Sequence, residues 1–189
     1  MIVIGDVSGK GVEAAATTAL VRHVVRVAAR SADAGNRILT VNQAILEDSP
    51  GEQFCTLAWA ALEPAGQDGV VAGRVACAGH PPPFVVRAGG DVELLAATGT
   101  LLGFFPDIAS QSAPVELAPG DALVLFTDGV TEARLPDGSL FGLDGLGAAL
   151  RQAAGGTAAE ILESIEGTLE RGRAEARDDI AIVVASVLR

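Results

Sequence analysis

The sequence predicts an α+β layered sandwich, and three observations carry that class. Helical periodicity is confined to the two ends, the middle is a series of short apolar runs broken by Gly, Pro and Asp, and neither a repeat nor a linker divides the 189 residues. Residues 1–189 therefore read as a single domain. A chain of this length buries about 70% of its unfolded surface, so a core forms without staples. The hydrophobic fraction of 49% and charged fraction of 20% exclude a disordered chain. With aromatics at only 4%, the core is built mostly from Ala, Val and Leu.

Taken in order, Met1–Ile4 reads as a buried strand running into Gly5-Asp6-Val7-Ser8-Gly9-Lys10-Gly11. A strand needs neighbours, and nothing precedes this one to pair with it, so the sequence is expected to start inside a larger domain. Val12, Ala16, Leu20, Val24 and Val27 recur at three- and four-residue steps and predict a helix to Ala29 with one buried face. Arg22, Arg26 and Arg30 stripe another face and read as solvated, whereas His23 reads as structural. A second helix, Asn36 to Glu47, carries Ile38, Val41 and Ile45 in register and ends at Ser49-Pro50-Gly51.

The strand region follows. Phe54 to Leu62, Val70 to Ala78, Pro83 to Val86 and Val92 to Leu95 are short runs, with hairpin turns at Gln67-Asp68-Gly69 and Ala88-Gly89-Gly90-Asp91. Thr98 to Ser112 reads as a glycine-dotted loop, Val115 to Leu117 as a short strand, and Pro119-Gly120-Asp121 as a turn. Ala122 to Phe126 is apolar throughout and suits a central strand. Leu143 to Ala153 predicts a helix, and Thr157-Ala158-Ala159-Glu160 opens another with a capping-box pattern. Ile180 to Leu188 predicts the last strand.

With 13 basic and 24 acidic residues, the net charge of −11 argues against binding nucleic acid or anionic lipid. Cys55 and Cys77 lack zinc-ligand spacing and read as buried free thiols. The N-terminus has no basic segment of a signal peptide, and Ile180 to Leu188 is about half the length of a membrane-spanning helix. A soluble, cytoplasmic protein is expected.

Three acidic sites share one geometry. Asp6 sits at the C-terminal end of the first strand, Asp128 ends the strand Ala122 to Phe126 just before Gly129, and Asp178 and Asp179 precede the last strand. A single Asp at such a place is a common turn former, but carboxylates gathered at one sheet edge repel unless a cation lies between them. Oxygen donors of this kind suit Mg²⁺ or Mn²⁺. The segment Gly5 to Gly11 is not a phosphate-cradling loop: its spacing is one residue short, and Gly11 stands where Ser or Thr would hold Mg²⁺. Lys10 reads either as solvated or as a contact for an anion. His80, in Ala78-Gly79-His80-Pro81-Pro82-Pro83, reads as a proton carrier or ligand, or as a turn histidine bonded to local backbone.

In order, Gly5-Asp6-Val7-Ser8-Gly9-Lys10-Gly11, Phe54-Cys55-Thr56-Leu57, the Ala78–Pro83 turn, Pro119-Gly120-Asp121, Phe126-Thr127-Asp128-Gly129-Val130-Thr131-Glu132-Ala133 and Arg177-Asp178-Asp179-Ile180 form a specific set. The set resembles the SpoIIE/RsbU-type branch of the metal-dependent PPM serine/threonine phosphatases, relatives of protein phosphatase type 2C, over nearly the whole chain. The resemblance implies an αββα sandwich of two antiparallel β-sheets flanked by helices, with two Mn²⁺ or Mg²⁺ ions at one edge. By that analogy Asp6 bridges the ions, the Val7 carbonyl completes one shell, and Asp128 and Asp178 are the other acidic ligands. Asp179 supports the site or is structural. A metal-activated water attacks phosphorus, so these residues are catalytic through it. The implied substrate is a phosphorylated anti-anti-sigma (STAS-type) protein, and a sensory domain upstream fits the same pattern.

One departure stands out. The family carries Gly-Gly-Asp and a second Asp on a strand before the position of Met1, and this sequence has nothing there. The resemblance thus implies a phosphatase domain without its first strand and a metal site short of a ligand. The alternative is a non-catalytic module that captures a phosphoprotein without turnover. A nucleotide switch is disfavoured by the failed loop spacing.

Overall fold

A computed structural model describes residues 1–30, 34–48, 53–176 and 178–188. The elements run β1 (Ile2–Val7), α1 (Val12–Ala28), α2 (Ala34–Asp48), β2 (Cys55–Leu62), β3 (Val71–Ala78), β4 (Phe84–Val86), β5 (Val92–Leu94), β6 (Thr98–Gly99), β7 (Ser110–Leu117), β8 (Ala122–Phe126), α3 (Asp128–Thr131), α4 (Gly142–Gln152), α5 (Ala158–Arg171) and β9 (Ile182–Ser186). The strands form two antiparallel sheets, β1-β2-β3-β7-β6 and β5-β4-β8-β9, flanked by helices, which is the α+β class expected. Among the described residues no helix is long and apolar enough to cross a membrane. The expected turn Ser49-Pro50-Gly51 and Arg177 of the acidic motif lie outside the described residues.

The chain forms two compact units. The first comprises Met1–Ala61, Arg74–His80 and Ala96–Pro114, and the second Leu62–Gly73, Pro81–Leu95 and Val115–Arg189. In the first, Val21, Val25 and Ala28 of α1 and Ile38, Val41 and Ile45 of α2 pack with Cys55, Leu57 and Trp59 of β2. Those three β2 residues alternate, so one face of the strand meets the helices and Thr56 lies on the other. Both thiols are buried and free as expected, and burial pushes each up to about 12, with the Asp6 charge adding to the effect at Cys55.

The buried stripe of α1 is Ala14, Thr17, Val21, Val25 and Ala28, one position away from the expected face. Val12 is 87% and Val27 50% exposed. Ala and Val occur all round this helix, so periodicity fixes the helix but not its phase. The Arg22, Arg26 and Arg30 stripe is exposed as expected, but so is His23, which is a surface residue rather than a structural one. The expected loop from Thr98 to Ser112 contains β6 and the first half of β7, paired as Thr98↔Gln111 and Gly99↔Ser110. These residues are polar and lie at the open end of the sheet, where no apolar alternation is needed. The backbone approach is close here, because a Cβ on Gly99 would meet the Cys77 carbonyl oxygen at 2.2 Å.

In the second unit, Phe84 and Val86 of β4, Ala122, Val124 and Phe126 of β8, Leu146, Ala149 and Leu150 of α4, and Ile161 and Ile165 of α5 form one core. The capping box at α5 is present: the Glu160 amide donates to Thr157 Oγ1 at 3.3 Å, and the Thr157 amide donates to Glu160 Oε2 at 2.7 Å. The turn into β8 is clamped by Asp121, which is 5% exposed. Its carboxylate accepts from the Ala88 amide at 2.9 Å, the Ala118 amide at 3.1 Å and Arg87 Nη1 at 2.9 Å.

Burial alone would raise the Asp121 carboxyl, but the Ala88 amide, the Arg87 guanidinium and the Ala118 amide outweigh it and hold it below the usual carboxylate range. A folded-state value below the unfolded one (about 3.9) means the contribution is full above roughly pH 4 and is lost as pH falls through the folded value. Asp121→Asn is therefore expected to cost about 2 kcal/mol near neutral pH, the scale of hydrogen bonds to a charged group. Urea titrations of both proteins between pH 7 and pH 2 check this. The gap should narrow below about pH 4, and a gap that does not change with pH refutes it.

Candidate metal centre

The second unit builds its acidic corner from the end of β8 and the approach to β9. β8 is buried at all five residues and pairs antiparallel with β9, with Phe126 opposite Ile182. Antiparallel pairing brings the residue after β8 and those before β9 to the same end of the ladder. Asp128 and Asp178 consequently meet, with carboxylate oxygens within 4.8 Å of each other, Asp128 half-buried and Asp178 exposed. The Asp179 amide donates to Asp178 Oδ1 at 2.8 Å and fixes that side chain.

Thr127 ties the corner together. It is 4% exposed, its hydroxyl donates to the Asp179 carbonyl at 2.9 Å, and the same oxygen accepts from the Ala181 amide at 2.9 Å. Its own amide donates to the Ala181 carbonyl at 3.0 Å. Asp179 thus acts through its backbone, while its side chain is exposed. Immediately after Thr127 the chain turns into α3, which sequence reading did not anticipate, and Val130, fully buried, anchors it. Gly129 allows the close approach: a Cβ there would meet the Asp179 carbonyl oxygen at 2.5 Å and that of Asp178 at 3.0 Å.

The donor set suits a hard divalent cation. Ligands at about 2.1 Å on opposite sides of an octahedral ion lie roughly 4.2 Å apart, so two carboxylate oxygens within 4.8 Å reach one ion with a small side-chain adjustment.

The first unit carries Asp6. The structure carries β1 beyond the expected Met1–Ile4 to Val7, with Asp6 near the strand's C-terminal end as expected. Asp6 is opposite Thr56 and Val7 opposite Cys55. Gly5 lies within the strand and allows close backbone approach, because a Cβ there would meet the Thr56 carbonyl oxygen at 2.6 Å. The strand is closed by Ser8, whose amide donates to the Phe54 carbonyl at 2.9 Å and whose Oγ accepts from the Phe54 amide at 3.0 Å. Lys10 is exposed, matching the solvated reading. His80 is buried and its Nδ1 lies 2.9 Å from Thr56 Oγ1, so the ring bonds a neighbouring strand's side chain rather than only the turn's backbone.

Neither Thr127 nor Thr56 stands out individually in the sequence. For Thr127 a signal exists in retrospect, a hydroxyl residue between an apolar strand and an Asp. For Thr56 the signal is its place in the Phe54-Cys55-Thr56-Leu57 motif, while its pairing with Asp6 is set by strand register.

Residues 1–188 match the sequence model of the family described as Stage II sporulation protein E (SpoIIE). The chain is 29% identical over 171 residues to Protein IcfG of Synechocystis sp., covering 75% of this chain and 26% of that protein. It is 28% identical over 141 residues to the phosphoserine phosphatase RsbU of Bacillus subtilis, covering 74% of this chain and 41% of RsbU. The chain thus spans well under half the length of either relative. In fold it is similar to the SiaA-PP2C domain of Pseudomonas aeruginosa, with a TM-score of 0.73 at 24% identity over 97% of this chain and 74% of that one.

Proposed function

The chain belongs to the SpoIIE family of PPM-type serine/threonine phosphatases, and from that premise we propose that it hydrolyses phosphoserine or phosphothreonine on a regulatory protein of the anti-anti-sigma (STAS) type. The observation that carries the reading is the Asp128–Asp178 pair, held at one end of the β8–β9 ladder by Thr127. By their place in the family's first motif, Asp6 and the Val7 carbonyl are metal ligands in this reading. When bound, Mn²⁺ or Mg²⁺ supplies an acidified water as nucleophile and positive charge against the phosphoryl oxygens. Everything else falls to the chain. Asp128 and Asp178 would hold the cation through their carboxylate oxygens and offset its charge, Asp178 is oriented by the Asp179 amide, and Thr127 fixes the spacing of the two loops. The buried thiols, pushed up to about 12, take no part as nucleophiles.

The partner reading follows from the family, while charge only disfavours nucleic acid. A protein with a net charge of −11 does not attract a nucleic-acid backbone, and a phosphoprotein must be neutralised locally by the metal. Such a protein working on a cytoplasmic switch, with a sensory domain elsewhere in the same polypeptide, is the setting we propose.

Hydrolysis of p-nitrophenyl phosphate and of a phosphoserine peptide, each with Mn²⁺ and with EDTA, tests the proposal. Turnover with Mn²⁺ that EDTA abolishes and added Mn²⁺ restores is expected. Peptide binding that survives EDTA, with no turnover at any metal concentration, overturns catalysis and favours a capture module.

A further inference from the structure

The motif Ala78-Gly79-His80 is not used by the metal ligands, yet the fold goes to some length to place its imidazole. Gly79 adopts φ 66°, and a Cβ on it would meet Leu101 Cβ at 2.7 Å and Leu101 Cα at 2.9 Å. Its amide donates to the Gly99 carbonyl at 2.8 Å, and it bridges to Leu57 of β2. The next residue, His80, is 5% exposed, and its Nδ1 lies 2.9 Å from Thr56 Oγ1. Thr56 in turn is the register partner of Asp6. Directly opposed residues of an antiparallel pair leave the same face with Cβ atoms about 4.5–5.5 Å apart. That face is the one turned away from α1 and α2, since Cys55 and Leu57 on either side of Thr56 pack with those helices.

We propose that Thr56 and His80 are positioning residues for Asp6: the imidazole fixes the Thr56 hydroxyl, and the hydroxyl orients the Asp6 carboxylate for its metal. The inference rests on the reading of Asp6 as a ligand. A threonine hydroxyl has one proton to give and two lone pairs to receive with. With His80 Nδ1–H donating to Thr56 Oγ1, the threonine proton is directed to the residue across the ladder, which is Asp6. The β-branched side chain adds stiffness, because its χ1 has few alternatives beside a strand. Partners of this kind behind a metal ligand change metal affinity or activity by about 10- to 100-fold when removed.

Mn²⁺ titration calorimetry on the full chain reads this directly, with wild type, Thr56→Val, Thr56→Ser, His80→Ala and His80→Asn. Thr56→Val is expected to weaken Mn²⁺ binding by about 10- to 100-fold, with the metal-free protein still folding cooperatively and melting only several degrees lower because the imidazole loses one partner. Thr56→Ser, which keeps the hydroxyl, restores most of the affinity, and His80→Asn, whose amide nitrogen can replace Nδ1, binds better than His80→Ala. If the histidine variants fold poorly, the Thr56→Val and Thr56→Ser comparison decides alone. Wild-type affinity in Thr56→Val, or equal weakening in Thr56→Ser, overturns the positioning role and leaves the phosphatase reading standing. A wild-type chain that binds no Mn²⁺ overturns both.

Discussion

Asp178→Asn is expected to reduce Mn²⁺-dependent hydrolysis by about a thousand-fold, while the metal-free protein melts at the same temperature or slightly higher. The two halves of this expectation have one cause. Asp128 and Asp178 hold carboxylate oxygens within 4.8 Å of each other, an arrangement that is repulsive without a cation and cohesive with one. Removing one negative charge relieves the metal-free protein and weakens the loaded one. A metal contributes several kcal/mol of transition-state stabilisation, and about 4 kcal/mol corresponds to roughly a thousand-fold in rate. The relief in the metal-free state is small, because Asp178 is exposed and water screens it. Asn keeps the shape and can still accept the 2.8 Å bond from the Asp179 amide, so lost activity does not reflect a lost loop. Melting curves with EDTA and with excess Mn²⁺, beside steady-state kinetics, separate the terms. Wild-type turnover in Asp178→Asn would remove Asp178 from the ligand set.

The parts of the fold that were legible are those where local chemistry and tertiary packing ask for the same residues. The apolar run Ala122 to Phe126 could only be a central strand, and Thr157 to Glu160 could hardly be anything but a helix start. Asp128 and Asp178 stand out as candidates because each lies beside an apolar run in the sequence. What escaped depended on long-range partners. Only the fold shows that the Thr56 carbonyl occupies the space of a side chain at Gly5. The polar first residues of β7 gain strand pairing from β6, far from any apolar alternation in the sequence. The phase of α1 was missed because its Ala and Val residues offer two apolar stripes, and only the packing partners select Val21 and Val25. Thr56 illustrates the limit most clearly: it stands in the Phe54-Cys55-Thr56-Leu57 motif, but its pairing with Asp6 is set by strand register.

Gly129→Ala is the second large effect. The added methyl would stand 2.5 Å from the Asp179 carbonyl oxygen, 3.0 Å from that of Asp178 and 3.0 Å from the Asp179 carbonyl carbon. All three are backbone atoms, so no side chain can swing aside. The Thr127 bonds to Asp179 and Ala181 oppose the one remaining relaxation, outward movement of the loop that carries Asp178. Overpacking of this sort costs typically 1–3 kcal/mol, so a stability loss of about 2 kcal/mol is expected. For a chain of this size that is a fall of about 4–8 °C in melting temperature. The same movement separates Asp178 from Asp128, and a misplacement of about 1 Å at a reacting centre can cost a hundred-fold in rate. Gly89→Ala is the control, because nothing lies within 4 Å of its added methyl. If Gly129→Ala binds Mn²⁺ weakly and turns over slowly while Gly89→Ala matches wild type, the close packing of the Asp128 turn on the Asp178 loop sets the geometry of the site. If Gly129→Ala loses stability but keeps full metal affinity, the turn is structural and the ligands find their spacing without it.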